Sequence, residues 1–296
     1  MEAGFLTKVV LPISLIIIML GMGLSLVRDD FARILREPRA VAVGVFCQML
    51  VLPAVALALV FLFGLPGELG VGLMILAFCP GGATSNMLSY LSRGDVALSI
   101  TLTAIVSVVA PFSVPLLTAL AMTMLMDQSQ QFAIPVGQTI VQLLAITIVP
   151  VIVGMLIRWK WPGFAARAER PVKIYSVVIL FVIIAGIVLK NKDNMAGFFV
   201  QTGAATLALN VVTLLAGYFI AQRMRLSRRQ AITVAIEGGV QNGTLALFVT
   251  GTLLSSSVMT IPAVTYSLLM FATGGLFGWW INRGRAAGAS AEAPAG

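Results

Sequence analysis

Nine runs of about 20 mainly apolar residues follow one another along this chain. Each run is long enough to cross the roughly 30 Å hydrocarbon core of a bilayer as an α-helix. With 59% apolar and 10% charged residues, the 296-residue chain has more apolar surface than a water-soluble globule could hide. We therefore predict an all-α polytopic membrane protein with about nine transmembrane helices. The predicted spans are 5–27, 41–63, 70–91, 96–125, 134–157, 172–189, 198–221, 231–254 and 258–281.

Positive charge is distributed unevenly over the segments between these runs. If the N-terminus lies outside, sixteen of the nineteen Lys and Arg residues fall on the cytoplasmic side. Short cytoplasmic loops are enriched in Lys and Arg, so we expect a multi-pass protein of the cell membrane with its N-terminus outside and its C-terminus cytoplasmic. Residues 284–296 are expected to form a disordered cytoplasmic tail. This topology also explains the net charge of +8, and no nucleic-acid partner is predicted.

One acidic residue, Glu237, lies in the middle of a run, whereas the other ten lie in loops, in tails or at the ends of runs. A carboxylate at this depth is costly and normally faces protein or a water-filled cavity together with a partner. No Lys, Arg or His lies at this depth in any run. The missing positive charge is therefore either a proton on Glu237 or a bound metal cation.

Two segments interrupt the third and eighth runs. Residues 79–86 read Cys-Pro-Gly-Gly-Ala-Thr-Ser-Asn, and residues 236–244 read Ile-Glu-Gly-Gly-Val-Gln-Asn-Gly-Thr. Proline and paired glycines weaken a helix, and a broken helix at membrane depth is tolerated only inside the protein or at a cavity. Asn86 and Asn242 follow the two Gly-Gly pairs and are 156 residues apart. We predict an inverted repeat, spans 2–4 matching spans 7–9, with two discontinuous helices like those that bind ions and substrates in secondary transporters.

Other polar side chains lie within the same two groups of spans. They are Gln48 in the second span, Ser99 and Thr103 in the fourth, and Asn210 in the seventh. Ser99 and Thr103 are four residues apart and so share one face of a helix.

Residues 79–86, the segment 90–99 (Tyr-Leu-Ser-Arg-Gly-Asp-Val-Ala-Leu-Ser) and residues 236–242 resemble the bile acid:sodium symporter family. The resemblance extends over nearly the whole chain. It implies a core domain in which the two broken helices cross, formed by spans 2–4 and 7–9 in residues 40–126 and 198–283. It also implies a panel domain of spans 1, 5 and 6, in residues 1–28 and 132–190.

The same resemblance implies two Na⁺ sites and a substrate site. The first Na⁺ site would use the side chains of Ser85, Asn86, Ser99, Thr103 and Glu237. The second would use Gln48, Glu237 and Gln241, with backbone carbonyls near Gly238 and Val240. The substrate would contact Asn86 and Asn242, with Thr84 and Thr244 as further candidates. All the metal ligands are hard oxygen donors, as a hard cation requires.

One wall of the substrate site departs from the family pattern. Some relatives carry a polar His-Asn pair in the final span, where this chain has Met270 and Phe271. We therefore expect that wall to be more apolar here.

These features predict a sodium-coupled symporter of a small organic anion, such as a bile-acid-like, keto-acid or vitamin-precursor carboxylate. It would work by alternating access, as a monomer in contact with membrane lipids. The alternatives are a proton-coupled or uncoupled organic anion carrier, an intramembrane enzyme and a channel. The chain has no His, so neither Ser-His catalysis nor a His-Glu-x-x-His zinc site is available, and no catalytic residue is predicted. Asp29 and Asp30 are interpreted as solvated loop residues rather than magnesium ligands.

Overall fold

The computed structural model of the chain describes residues 3–127, 135–190 and 192–289, and in these ranges it contains helices and no strand. We number the main helices as follows: α1 (Leu6–Ser25), α2 (Arg28–Arg36), α3 (Pro38–Leu62), α4 (Gly67–Phe78), α5 (Ala83–Leu91), α6 (Val96–Leu125), α7 (Val136–Lys160), α8 (Pro162–Lys190), α9 (Lys192–Arg223), α10 (Arg228–Gly239), α11 (Gly243–Leu247, continued by the π-helical turn Phe248–Leu253) and α12 (Thr260–Ala289).

The number of spans agrees with the prediction. Within the described residues, 8 helical segments are long and apolar enough to cross a membrane, with α10 and α11 counted together. The bent pair α4 and α5 makes a ninth if it is one span. The predicted all-α polytopic fold is therefore confirmed.

Three local expectations need correction. Helix α8 begins at Pro162, ten residues before the predicted sixth span, because proline suits a first helical turn and Lys173 pairs with Glu169 one turn away at 2.6 Å. Helix α12 extends to Ala289, so residues 284–289 of the predicted tail are helical, and residues 290–296 lie outside the described ranges. Asp30 is not solvated but buried. Its carboxylate accepts the backbone N–H of Val27 at 2.8 Å, which replaces a hydrogen bond to water.

The segments predicted to share one side of the membrane meet at one end of the molecule. Arg33 of α2 contacts Asp95, before α6, at 3.1 Å. The N–H of Asp95 donates to the carbonyl of Arg229, in α10, at 3.2 Å. Asn282, near the end of α12, donates to the carbonyl of Ser92 at 2.9 Å. This grouping is what an alternating path across a bilayer requires.

The spans pack in two groups that meet at the broken helices and along α6. Helices α1, α7 and α8 contact one another, while α9 packs against α10 and α12, and α4 packs against α6. Helix α1 reaches α11, α8 reaches α5, and α7 packs against α6, so the two groups meet along all three contacts. The apolar window of the eighth span, α10 with α11, is 100% buried, against 22% for α7. The broken eighth span is therefore enclosed by protein rather than by lipid.

Helices α1 and α7 touch through their backbones at two glycines. A Cβ atom built on Gly23 would overlap the carbonyl oxygen of Val151, and one built on Gly154 would overlap the carbonyl oxygen of Leu20. Small residues allow such close approach of helices in membranes, where association depends on van der Waals packing. The geometry of this helix pair therefore depends on both glycines.

We expect Gly154→Ala to lower the melting temperature in detergent, because its new methyl group meets backbone that cannot rotate away. Gly137→Ala, in the same helix, is the matched control, since no atom lies within 4 Å of its added Cβ. It should leave the melting temperature unchanged or raise it, because alanine is favoured over glycine in a helix by about 1 kcal/mol. Equal effects of the two substitutions on thermal unfolding would contradict the close contact.

Candidate functional site

The first break separates α4 from α5. Pro80 has no N–H and disfavours a helical conformation in the residue before it, and Cys79 is extended, with φ −73° and ψ 148°. The chain bends by 66° at this point. The freed carbonyl of Cys79 accepts a hydrogen bond from Gln48 Nε2 at 3.1 Å, and the N–H of Gly82 donates to Ser85 Oγ at 3.1 Å. Side chains thus replace the helical partners that the break removes.

The second break separates α10 from α11. Val240, with φ −123° and ψ 103°, ends α10. The freed carbonyl of Gly239 accepts two hydrogen bonds, from Asn210 Nδ2 at 2.6 Å and from the Tyr266 hydroxyl at 2.8 Å. The side-chain oxygen of Asn242 accepts a backbone N–H of the first turn of α11 at 3.0 Å. The predicted interruption of the eighth span is therefore present, with a smaller bend than the first.

The two breaks bond to each other. The N–H of Asn242 donates to the carbonyl of Pro80 at 2.9 Å. The C-terminal ends of α4 and α10 and the N-terminal ends of α5 and α11 consequently meet at one place. C-terminal ends of helices carry partial negative charge and N-terminal ends partial positive charge. The crossing therefore offers favourable surroundings for a cation and, close by, for an anion.

All five side chains of the first predicted Na⁺ site lie together and are buried. Ser99 Oγ is 2.5 Å from Glu237 Oε1, and Thr103 Oγ1 is 2.8 Å from Glu237 Oε2. Asn86 Oδ1 is 2.8 Å from Ser99 Oγ and 3.4 Å from Thr103 Oγ1. Ser85 also interacts with the Glu237 carboxylate. Helices α5, α6 and α10 thus bring oxygen atoms from distant parts of the sequence into one cluster.

This cluster has fewer hydrogen-bond donors than close oxygen–oxygen contacts. With the Asn86 amide oriented as in the structure, Ser99 and Thr103 each bring one hydroxyl proton to two acceptor oxygens. Both acceptors of each hydroxyl, Asn86 Oδ1 and a Glu237 oxygen, are electron-rich. Either a proton on Glu237 or a cation between the oxygens relieves this shortage. The structure is therefore compatible with both possibilities raised by the sequence, a proton on Glu237 or a bound metal cation.

Gly81 provides the space that the carboxylate occupies. A Cβ atom on Gly81 would lie 2.6 Å from Glu237 Oε2 and 2.8 Å from Ser85 Oγ, closer than atoms can approach without moving. A Cβ atom on Gly82 would have Asn242 Nδ2 as its nearest neighbour, at 3.6 Å, an ordinary contact. The two adjacent glycines therefore differ in function: only Gly81 is needed for access of Glu237 to the first break.

The residues of the second predicted Na⁺ site form a hydrogen-bonded amide pair beside the first cluster. Gln48, on the π-helical turn Cys47–Val51 of α3, donates to Gln241 Oε1 at 2.7 Å. Gln241 Nε2 donates to the carbonyls of Glu237 and Gly238 at 3.2 and 3.0 Å. Gln48 Oε1 is buried and has no hydrogen-bond partner among the described residues. Val240 lies directly before Gln241 in the chain. The Glu237 carboxylate, however, faces the first cluster and not this amide pair.

Three of the four predicted substrate residues line a small cavity at the crossing. Thr84, Asn242 and Thr244 form one side of it, and Ser176 and Leu180 of α8 form the other. Its volume of about 20 Å³ holds about one water molecule. Asn242 Nδ2 is buried there with no hydrogen-bond partner in the described part of the chain. The fourth residue, Asn86, faces the oxygen cluster instead.

Several residues of this region were not predicted. Tyr266 completes the second break, and its only signal in the sequence is a hydroxyl within an apolar span. Ser176 at the cavity has the same weak signal. Phe271, predicted to make the site more apolar, stacks against Phe181 of α8 with ring centroids 5.6 Å apart, while Met270 is buried.

The segment 90–99 sets the position of α6 against α10. The N–H of Asp95 donates to Thr233 Oγ1 at 2.8 Å, and the Thr233 hydroxyl lies 3.0 Å from the Asp95 carbonyl oxygen. Asp95 also caps α6, accepting the N–H of Leu98 at 3.1 Å. Ser99 and Glu237 lie four residues, about one helical turn, beyond Asp95 and Thr233 respectively. The contact between the start of α6 and the middle of α10 therefore fixes the register that brings Ser99 to Glu237.

Comparisons with known proteins agree with this architecture. A family model described as the sodium bile acid symporter family matches residues 12–198. The chain is 29% identical over 252 residues to an uncharacterized sodium-dependent transporter of Bacillus subtilis, YocS, covering 85% of this chain and 76% of that protein. It is 28% identical over 283 residues to the ileal sodium/bile acid cotransporter of Oryctolagus cuniculus, covering 90% and 77%.

A further relative is the probable chloroplastic sodium/metabolite cotransporter BASS2 of Oryza sativa subsp. japonica, 28% identical over 269 residues. The match covers 90% of this chain but only 62% of that protein, so the chain spans about three fifths of its length. The names of all three relatives point to transporters rather than enzymes, and to sodium as the coupling ion. On the strength of the family match, the chain belongs to the sodium bile acid symporter family.

Proposed function

We propose that this chain is a sodium-coupled symporter of a small organic anion that works by alternating access. The observation that carries the proposal is the buried cluster around Glu237, in which four oxygen–oxygen contacts share two hydroxyl protons. Na⁺ would supply the missing positive charge and would accept carboxylate, amide and hydroxyl oxygens together, since all three are hard donors. Ser85, Asn86, Ser99, Thr103 and Glu237 would form this first site.

A second Na⁺ would bind beside it. The buried, unpartnered Oε1 of Gln48 is an acceptor that a cation would satisfy. Gln241 and the carbonyls of Glu237, Gly238 and Val240 would complete the site once the Gln241 amide turns away from the carbonyls that it now holds. Glu237 would then serve both sites, through its carboxylate and its backbone.

The organic anion would bind at the small cavity, in contact with Asn242, Thr84 and Thr244. The N-terminal end of α5 lies there and favours negative charge, and Asn242 Nδ2 has an unused N–H to donate. Asn86 would connect the two sites, because it contacts the oxygen cluster from the same half-helix as Thr84. Sodium would also lessen repulsion between Glu237 and the anion, so that each ligand raises the affinity for the other.

The small size of this cavity supports alternating access. A volume of about 20 Å³ is too small for an organic anion, so the walls formed by α8 and by the crossing must separate to admit one. We propose that α1, α7 and α8 act as the panel and the remaining spans as the core, with the protein functioning as a monomer surrounded by lipids. The N-terminus would lie outside and the C-terminus inside. Arg28–Trp159 and Arg283–Trp279 stacking at the proposed inner end supports this orientation.

An entrance for the anion lies at the opposite end. A cavity of about 220 Å³ there is lined by Lys8 together with Gly186 of α8 and Ser257 before α12. Below it, Thr252 Oγ1 donates to the carbonyl of Thr7 at 2.6 Å and joins the two groups of spans. Lys8 would attract an anion before this contact opens. Ile18 and Leu180, which line the small cavity, would contact an apolar portion of the substrate, as in bile-acid-like, keto-acid or vitamin-precursor anions.

Uptake into proteoliposomes tests the coupling ion. With the purified chain and a labelled organic anion, we expect an inward sodium gradient to drive uptake, and potassium in its place at constant pH to abolish it. Proton coupling is the competing function, because a proton on Glu237 also supplies the missing hydrogen. Uptake that persists without sodium and responds to a pH gradient would overturn sodium coupling in favour of proton coupling.

Thr103→Ala should weaken sodium binding roughly tenfold, because it removes one oxygen from a buried charged cluster. In the wild-type protein, sodium at 100 times its Kd should stabilise the fold by about 2.7 kcal/mol, and Glu237→Gln should abolish this response. Thermal unfolding in sodium against potassium measures both effects.

The matched control is Thr118→Ala, which removes the same group from an equally buried position of α6, far from Glu237. It should keep the full sodium response even if its melting temperature falls. If Thr118→Ala and Thr103→Ala reduce the sodium response alike, the proposed first site is wrong.

Gly81→Ala should remove the sodium-dependent increase in melting temperature, because its methyl group would push the Glu237 carboxylate out of the cluster. Gly82→Ala, one residue away, should retain that increase, since its added atom has ordinary contacts only. Thermal unfolding with and without sodium compares the two variants directly. Retention of the response in Gly81→Ala would show that the carboxylate does not need its present position.

A further inference from the structure

A cavity of about 680 Å³, separate from the proposed transport site, lies at the inner end of α1 and α7. It is lined by Arg28 and Asp29 at the start of α2, by Arg158 and Trp159 in the last turn of α7, and by apolar side chains of α7 and of the link between α1 and α2. No residue of the broken helices α4, α5, α10 or α11 contributes to the lining. The cavity is therefore not part of the crossing between the broken helices.

The cavity opens towards the surface that the membrane covers. Ile152 and Leu156, one helical turn apart on α7, line it and are 50% and 55% exposed. Trp159 continues the same face and is 70% exposed. Tryptophan is favoured at the level of lipid headgroups, and the aliphatic residues below it suit acyl chains. The cavity therefore joins an interfacial polar region to an apolar groove along α7.

Two guanidinium groups give the polar region a positive charge. The Arg28 guanidinium stacks over the Trp159 ring, with 5.8 Å to the ring centroid. The Nη1 atom of Arg158 is buried and has no hydrogen-bond partner within the described residues. A buried donor without an acceptor is costly, particularly on a charged group. An occupant that brings acceptor oxygens to Arg158 would remove this cost.

The two nearby carboxylates do not supply those acceptors. Asp29 lines the cavity, but it is exposed, and its carboxylate lies 3.9 Å from the Arg36 guanidinium. Asp30 does not line the cavity; its carboxylate accepts the Val27 N–H, and burial raises the pKa of this group while the nearby charges of Arg33 and Arg158 lower it. Two arginines and one carboxylate line the cavity, so its lining keeps a net positive charge and is complementary to an anion.

We propose that this cavity binds the phosphodiester headgroup of an anionic phospholipid, with one acyl chain along Ile152 and Leu156. Arginine suits this role because its planar N–H groups match phosphate oxygens in pairs. Basic pockets between transmembrane helices are suited to anionic headgroups for the same reason. A soluble phosphate would share the headgroup chemistry but would leave the apolar groove uncovered.

The experiment uses the full chain in detergent and compares phosphatidylglycerol with phosphatidylcholine of identical acyl chains. Native mass spectrometry measures the bound lipid, and thermal unfolding measures the stabilisation. We expect phosphatidylglycerol to bind more tightly and to raise the melting temperature more. Arg158→Gln should weaken phosphatidylglycerol binding about tenfold or more, since it removes a charged hydrogen-bond donor.

Lys160→Gln is the matched control. It removes the same charge two residues away, from a side chain that stacks on Trp161 and does not line the cavity. It should leave the preference for phosphatidylglycerol intact, whereas equal losses in both variants would show diffuse attraction instead of a site. Should Arg158→Gln fail to fold, Arg158→Lys keeps the charge but loses the paired geometry and is expected to bind with intermediate affinity.

Two further outcomes would overturn the proposal. Inorganic phosphate or glycerol phosphate, added without lipid, should give little stabilisation, and full stabilisation by either would make the cavity a site for a soluble phosphate. Equal binding of the two lipids by the wild-type chain would show that the headgroup charge is not recognised.

Discussion

The hydrogen bond from the Asn242 N–H to the Pro80 carbonyl joins two helix breaks that neither half of the chain could support alone. A break at membrane depth exposes backbone groups where water cannot reach them, and each such group costs several kcal/mol if it stays unpaired. The two breaks supply part of each other's bonding. Gln48, Asn210 and Tyr266 supply the rest, from helices on either side. The surrounding spans are arranged as they must be to enclose this crossing.

The helix breaks also position the residues of the candidate site. Where α4 ends, the first break places Gly81 beside Glu237 in the last turn of α10, and α6 adds two hydroxyls to the carboxylate. The register of α6 against α10 is set one turn earlier, where Asp95 meets Thr233. The chemistry at Glu237 therefore depends on this contact as well as on its immediate neighbours.

Much of the fold follows from local signals in the sequence. Run length identified the spans, and proline and paired glycines placed both breaks within a few residues, because these residue types act on the backbone wherever they occur. The start of α8 was misjudged because a charged, amphipathic helix at the interface has the composition of a loop. The partners of the freed carbonyls were harder still: Tyr266 is 27 residues from Gly239, and nothing local relates a hydroxyl in one span to a carbonyl in another.

The oxygen cluster could be predicted only in part from the sequence. Glu237 is conspicuous because it has no charged partner, and the family resemblance supplied its neighbours. The proximity of Ser99 and Thr103 to both Asn86 and Glu237 depends on three helices packing at fixed angles, which composition does not encode. The cavity beneath Trp159 was outside any motif, since its residues come from the ends of helices that look ordinary one at a time.

The complete enclosure of the eighth span also bears on how the protein is made. This span has a mean hydropathy of 1.2, the lowest among the candidate spans, against 2.7 for α7. Its central carboxylate and glycines make it a poor substrate for insertion on its own, because acidic residues at mid-span oppose entry into lipid. Helices α9 and α12, its sequence neighbours, both pack directly against α10. We therefore expect this segment to enter the bilayer together with those two helices, as one unit formed by the last third of the chain.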